Sequence, residues 1–540
     1  MAVRPLIIDN VAPTQSQSSD PPPWNEVLLF TCVPFLVVVA LAFAYTPDDV
    51  FITLRYAANF VHGHGLSFNP GQHVQGFTSP LDLAVAIIVY LVPGGFVLLK
   101  MKLVSVFFGL LALRETAFLL WEMKIPRWAF RLGCIVVASC PVIAFASVNA
   151  LETTLEMWLL IALARRLITG GAGEQPVVLG LLAFFAVLAR PDAIAPIAFM
   201  ALTCIFIDRN IAMNRRLSWL IGAVVAALGT AMVELLYFRS LLPNTYYAKD
   251  LPLDRSLAFG SRYLFRILEP FSFGREFKIV LLVNVILVVA GIYAIVRHHQ
   301  RCVYLVALFV GQAIFVLKAG GDYMPEERFL AVCEVPFVVT EILGVIMIVA
   351  FCRRYVRQGG VRTASIVLCI VLIAASTLPF RNTNAPAWRI HGLSDRAILI
   401  ANPEPTIASL WIALPPILKC IHRGELVATS EIGFLGYSRL DLRILDLRGL
   451  TNRAVAMNSP AVMKETWGVR DLSWYLPTSP VGRVILEQKP RVIIEFDTVP
   501  MPVVLGGRYH LVKTKMVDLY PVSFYVPRGA SSICAAAQSS

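Results

Sequence analysis

The sequence predicts a polytopic α-helical membrane protein of about eleven transmembrane helices, followed by a small C-terminal α/β domain. Three observations carry that reading. Hydrophobic residues make up 57% of the 540, and charged residues only 15%, where a soluble domain carries about 25% charged residues. Apolar runs of roughly 20 residues recur, each long enough to cross a hydrocarbon core of about 30 Å as a helix. Beyond about residue 380 the hydropathy falls, and short apolar runs alternate with turns.

Taken in order, residues 1–24 are polar and end in Pro21-Pro22-Pro23, which reads as a disordered cytoplasmic leader. The transmembrane domain is expected over 25–379. Its spans are read at 25–44, 103–121, 132–148, 154–168, 176–189, 193–207, 217–236, 277–296, 302–317, 329–350 and 363–379. The first is longer than a typical signal-peptide core, although Ala42-Phe43-Ala44 resembles a cleavage site. The stretch 81–99 is interrupted by Pro93-Gly94-Gly95 and reads as a juxtamembrane or partly inserted pair of short helices. Two long outer loops are expected at 45–102 and 237–276.

Loop charges orient these spans. One set of loops holds Lys124, Arg127 and Arg131, then Arg165 and Arg166, Arg209, Arg215 and Arg216, Arg297 and Arg301, and Arg353, Arg354, Arg357 and Arg362. The alternate set holds Asp48, Asp49, Glu152, Asp192, Asp250, Asp254, Asp322, Glu326 and Glu327. Cytoplasmic loops are enriched in Lys and Arg, so the acidic set faces outward, with the N-terminus inside and the C-terminus outside. That rule also accounts for the net charge of +12, so no nucleic-acid partner is implied. The C-terminal domain is accordingly expected on the extracytoplasmic side.

The tail, 380–540, alternates apolar runs with turns. Glu425–Thr429, Arg443–Leu447, Arg491–Phe496 and Val522–Val526 read as strands, and 407–421 has helical periodicity. Cys420 and Cys534 could pair if the tail is extracytoplasmic. No CxxC or Cys/His metal spacing appears among the ten cysteines.

The polar clusters of the outer loops are the candidate chemistry. Asp48 and Asp49 open the first loop. One of them could simply cap the following helix. Adjacent carboxylates also repel, which raises a pKa and suits a general base. If that helix runs to about Phe60, then Asp48, Ile52, Arg55 and Asn59 share one face, so Arg55 could face the same cavity as an aspartate. His62 and His64, two apart, could bind a metal or simply flank a solvated turn. Glu152, Arg190 and Asp192 follow in tight outer turns, where Arg190 and Asp192 could also form a structural clasp. Lys249 and Arg328 join Arg55 as cations suited to a phosphate at head-group level. Carboxylates for proton transfer, cations for a leaving phosphate, and amides, hydroxyls and aromatics for a sugar are therefore all available.

These motifs resemble the membrane-embedded GT-C glycosyltransferases, and more narrowly the family containing the mycobacterial terminal β-arabinofuranosyltransferase. The matching pieces run in order from about 45 to 452: Asp48-Asp49 with Arg55-Tyr56-Ala57, Gly63-His64-Gly65-Leu66 with Asn69-Pro70-Gly71, and Gly76-Phe77-Thr78-Ser79-Pro80. Leu151-Glu152-Thr153, Arg190-Pro191-Asp192, Leu242–Lys249, Gly320-Gly321-Asp322-Tyr323 and Ile444–Thr451 continue the pattern. The family's proline after the Glu-Thr pair is Thr154 here, and Pro325-Glu326-Glu327 adds an acid after Asp322.

The resemblance implies a polyprenyl-phosphate sugar as donor, a cell-envelope glycan or glycolipid as acceptor, and membrane lipid as the surroundings. It also implies that the membrane is a bacterial inner membrane and the C-terminal domain periplasmic. Asp48 or Asp49 would then be the catalytic base, with Arg55, Lys249 and Arg328 on the donor phosphate. Tyr56, Asn59, His64, Glu152, Arg190, Asp192, Asn244, Tyr246, Tyr247, Asp322 and Tyr323 would contact substrate. No organic cofactor is implied, no P-loop or Rossmann fingerprint stands out, and the acidic loops leave a divalent metal open. The competing reading is a secondary transporter or lipid-linked sugar flippase, which would work through midplane groups such as Arg114-Glu115 and Glu341.

Overall fold

The structure, a computed structural model, describes residues 21–268, 277–322, 324, 327–355, 419–459, 475–495, 505–517 and 520–529. Its N-terminal part, to Tyr355, is a helix bundle. The helices are α1 (Trp24–Ala42), α2 (Asp49–Val61), α3 (Pro80–Leu91), α4 (Val97–Glu122), α5 (Arg127–Ala138), α6 (Pro141–Val148), α7 (Thr153–Thr169), α8 (Pro176–Ala189), α9 (Ile194–Ile207), α10 (Met213–Leu217), α11 (Leu220–Tyr237), α12 (Asn244–Lys249), α13 (Leu253–Phe265), α14 (Phe277–His298), α15 (Val303–Ala319) and α16 (Ala331–Tyr355).

Ten of the eleven expected spans fall on these helices, and the eleventh, 363–379, lies outside the described residues. Six helices among the described residues are long and apolar enough to cross a membrane, or seven if α5 and α6, bent by 48° at Ser139-Cys140, form one span. α3, α8 and α9 are shorter apolar helices. The interrupted stretch 81–99 is not a pair of short helices. The Pro93-Gly94-Gly95 break ends α3, and the residues beyond it begin the 26-residue α4.

Small residues set the closest helix contacts. A Cβ on Gly291 of α14 would lie 1.9 Å from the Thr340 carbonyl of α16, and one on Gly344 would lie 2.1 Å from the Leu287 carbonyl. Close backbone approach of this kind is how helices associate in lipid, where burial of apolar surface gives little drive. Only Ala223, Ala226 and Glu234 of α11 are buried, so most of its surface is left for hydrocarbon.

The C-terminal part is a five-stranded sheet in the order β2-β1-β3-β5-β4. The strands are β1 (Leu426–Thr429), β2 (Arg443–Asp446), β3 (Val492–Glu495), β4 (Tyr509–Val517) and β5 (Tyr520–Pro527), with α17 (Gly433–Ser438), α18 (Arg453–Asn458) and α19 (Pro480–Gln488) in the connections. β1 runs parallel to β2 and β3, while β3–β5 and β5–β4 are antiparallel. The four expected strands are present, and β4 adds to them. The helix expected at 407–421 and the Cys534 partner suggested for Cys420 lie outside the described residues, apart from 419–421, which form a turn and bend. Cys420 itself is disulfide-bonded.

Bundle and sheet share one core. Val50, Leu54 and Phe68 pack in the same cluster as Val427, Phe434, Ile444 and Val492. The C-terminal domain is thus fused to α2 by burial of apolar surface rather than tethered beside it.

Candidate active site

A cavity of about 750 Å³ opens where the acidic loops converge. α2 contributes Asp49 and Thr53, the segment before α3 contributes Thr78 and Ser79, and the turns before α7 and α9 contribute Glu152, Arg190 and Asp192. α12 brings Tyr246 and Lys249, the loop after α15 brings Asp322, and the turn before α16 brings Arg328. Carboxylates from loops up to 273 residues apart therefore meet in one chamber, as expected if the acidic loops share a side.

Arg190 is the hub of its floor. It leaves the end of α8 in an extended conformation. Its Nη1 lies 2.6 Å from Glu152 Oε1, and its Nε lies 2.9 Å from Asp192 Oδ1 and 3.2 Å from Glu156 Oε2. The expected Arg190–Asp192 clasp is therefore present, and two further acids share it. The Phe329 ring lies 4.8 Å from the Arg190 guanidinium and 5.2 Å from that of Arg328, so both cations contact one aromatic. Arg328 donates to Asp322 and lies 3.6 Å from Asp49 Oδ2. Lys249 ends α12. Burial pushes its ammonium below the ordinary lysine range, opposed by the charges of Asp49 and Asp322 and reinforced by Arg328 and Arg190. Cations and carboxylates thus interleave in this chamber.

The two adjacent aspartates separate. Asp49 lines the cavity; Asp48 does not. Asp48 occupies the N-cap position of α2 without capping it. Its two oxygens accept from Gly433 N at 2.7 Å and Phe434 N at 2.8 Å, at the start of α17. Burial, then the charge of Glu431, pushes its carboxyl up to about 8, against the lowering effect of those two donors. This raised carboxyl thus lies away from the cavity.

Several other expected site residues also serve elsewhere. Arg55 is fully buried and donates to the carbonyls of Phe68, Gly436 and Leu442 and to Asn69 Oδ1, so its donors are committed and none faces the cavity. Its shared face with Asp48 is real, but that face meets the C-terminal domain. Tyr56 donates to the Val74 carbonyl and accepts from Gly76 N, and Asn59 donates to the carbonyls of Ser67 and Phe68. These contacts fold the 62–76 loop. His64 is exposed within that loop, away from the cavity lining. Asn244 donates to the carbonyls of Gly449 (2.5 Å) and Leu450 (3.1 Å), and Tyr247 packs into the shared core. Tyr323 lies outside the described residues. Among the described residues, no group of three or more His, Cys, Asp and Glu side chains is arranged to hold a metal.

The sequence reading missed Glu156, Arg262 and Tyr263. Glu156 follows Glu152 by four residues, the spacing that puts both on one helix face. Arg262 and Tyr263 sit on the amphipathic α13 and line the cavity. Exposed Leu253 and Leu257, four apart, were the signal for that helix.

A family model described as a domain of unknown function (DUF8728) matches residues 406–526. No curated protein matches the sequence. Among solved structures, ArnT from Cupriavidus metallidurans bound to undecaprenyl phosphate is similar at a TM-score of 0.51 with 11% identity, covering 94% of this chain and 99% of that one. ArnT in the apo state is similar at 0.50 and 11%, covering 93% and 98%. The chain thus has an ArnT-like fold with a C-terminal α/β sheet domain.

Proposed function

We propose that this chain is a glycosyltransferase of the GT-C type. It moves a sugar from a polyprenyl-phosphate donor to a cell-envelope glycan or glycolipid acceptor on the outer face of the inner membrane. Arabinofuranose is the sugar that the motif resemblance favours. The observation carrying this reading is the meeting of Asp49, Lys249 and Arg328 in one cavity of a fold that, in ArnT, has been seen with undecaprenyl phosphate bound.

In this reading the acceptor hydroxyl attacks the anomeric carbon of the donor. A new glycosidic bond forms and the bond from that carbon to the phosphate oxygen breaks. Asp49 takes the hydroxyl proton. Lys249 and Arg328 stabilise the departing lipid phosphate, whose negative charge grows as the bond breaks. Glu152, Asp192, Tyr246 and Asp322 line the chamber and would orient the sugars, with Arg190 fixing the two acids nearest it. The positive-inside assignment puts this chamber on the outer side.

A transporter would need free ionisable groups near the membrane midplane. Of the three groups named for that reading, Arg114 and Glu115 are bound into a network with Arg165, which lies 2.6 Å from Glu115, and Arg166 at 3.5 Å, and Glu341 alone keeps a buried carboxyl oxygen without a partner, too little for a translocation path. The test is glycan analysis of a strain lacking the protein, complemented with wild type or Asp49→Asn. The sugar lost on deletion returns with wild type and not with the variant. An unchanged envelope on deletion sinks the reading.

A further inference from the structure

α2 is contacted from two sides. Asp49, Ile52 and Thr53 line the cavity, while Asp48, Phe51 and Arg55 meet the C-terminal domain. We propose that the α/β domain is a positioning element of the catalytic centre: by gripping Asp48 and Arg55 it sets the rotation of α2, and so the direction in which Asp49 points. This rests on Asp49 being the base.

The grip spans the whole of α17. Asp48 accepts from the first two N–H groups of α17, at 2.7 and 2.8 Å. Arg55, two turns further along α2, donates to the carbonyls of Gly436, Arg439 and Leu442 at and beyond its other end. Acceptor oxygens at the N-terminal end and guanidinium donors at the C-terminal end match the free N–H and C=O groups that a helix leaves at its two ends. Between them the Phe51 ring packs on Phe434 at 5.4 Å and on Tyr437 at 5.7 Å.

The closeness depends on two glycines. A Cβ on Gly433 would lie 2.0 Å from the Asp48 carbonyl oxygen, and one on Gly436 would lie 2.9 Å from Phe68 Cζ. Asp48 and Asp49 are consecutive, about 100° apart around the helix, so any turn of α2 that loosens the first redirects the second. The domain also closes the chamber itself, because Leu450 lines it on a loop held by Asn244. α17, β2 and this loop all fall within the stretch matched by the domain of unknown function, and the proposal gives that stretch a task.

The test uses the full-length chain in lipid nanodiscs. Transfer from a polyprenyl-phosphate arabinofuranose donor is followed alongside thermal unfolding for Gly433→Ala, Asp48→Asn and Asp48→Glu. A misplacement of about 1 Å at a reacting group can cost about a hundredfold. The expected result is a kcat lower by about 10- to 100-fold in Gly433→Ala and Asp48→Asn. The donor KM stays within about twofold, because Lys249 and Arg328 are untouched. Asp48→Glu recovers part of the rate. If Gly433→Ala does not fold, Phe51→Leu is the milder probe, with the same split between kcat and KM expected. Folded variants with unchanged kcat, or a loss confined to KM, overturn the proposal. Asp49→Asn is run in parallel. Full turnover there removes the base reading and the proposal with it, whereas its inactivity beside an unaffected Gly433→Ala removes the positioning role alone.

Discussion

Replacing Arg190 with Met should destabilise the protein by about 3–5 kcal/mol, the cost of leaving a buried charge without its partner. The side chains of Arg190, Glu152, Glu156 and Asp192 are 8%, 7%, 2% and 6% exposed, so water screens none of them well. At an effective dielectric of about 20, unit charges about 3 Å apart attract by about 5 kcal/mol. Arg190 makes three such contacts at 2.6–3.2 Å, and mutual repulsion of the acids and desolvation cancel most of their sum. Met nearly fills the volume but leaves three clustered acids without their cation. The assay is thermal and denaturant unfolding of the protein in nanodiscs from pH 6 to 9. Combining Arg190→Met with Glu152→Gln, Glu156→Gln and Asp192→Asn should regain most of the stability, because all three acids have lost their charge, yet stay inactive. An Arg190→Met protein as stable as wild type at pH 8 would refute the view that one buried cation neutralises this floor.

Other outcomes follow from the same geometry. Burial lowers the Lys249 pKa, and the cation is the form that holds phosphate, so activity should fall as pH rises through a value below the ordinary lysine range. Lys249→Arg should move that alkaline limb upward, and a limb that stays in place argues against Lys249. Asp48 is raised from 3.8 in the unfolded chain to about 8 in the fold. The folded state therefore holds a proton that the unfolded state has lost, and this contribution is full below pH 3.8 and disappears as pH rises through about 8. The stability difference between wild type and Asp48→Asn should decline across that window and level off above it, as measured by unfolding at stepped pH. Asn69 exchanges hydrogen bonds with both the N–H and the carbonyl of Ile444, at 2.9 and 2.8 Å. Asn69→Ala leaves both buried groups unpaired and should cost about 1–3 kcal/mol, with limited proteolysis of the C-terminal domain as a second readout.

Much of this architecture is legible in the sequence because it rests on local periodicity. Apolar runs located the helices, and Leu426–Thr429 and Arg443–Asp446 were visible as short apolar strands. The phase of α2 was also legible: Asp48 and Arg55 do share a face. What that face meets was not, because the partner is α17, some 380 residues away. α17 itself reads Gly-Phe-Leu-Gly-Tyr-Ser, whose glycines argue for a turn until the close approach to Asp48 explains them. Arg55 looked like a phosphate ligand because a buried guanidinium binding carbonyls has the same local sequence as one awaiting an anion. Glu156 was hidden inside an apparent membrane span, although its four-residue offset from Glu152 was there to be read.

The central claim is that acceptor attack and loss of a lipid phosphate occur in the Asp49 cavity. The most direct measurement is release of polyprenyl phosphate from a sugar-labelled donor by the full-length protein in nanodiscs, with and without envelope glycan acceptor. The account predicts acceptor-dependent release and labelled product with wild type, and a rate lower by about 10²–10⁴-fold with Asp49→Asn. Equal release by the two proteins, or passage of intact donor across the bilayer with no bond broken, would contradict it.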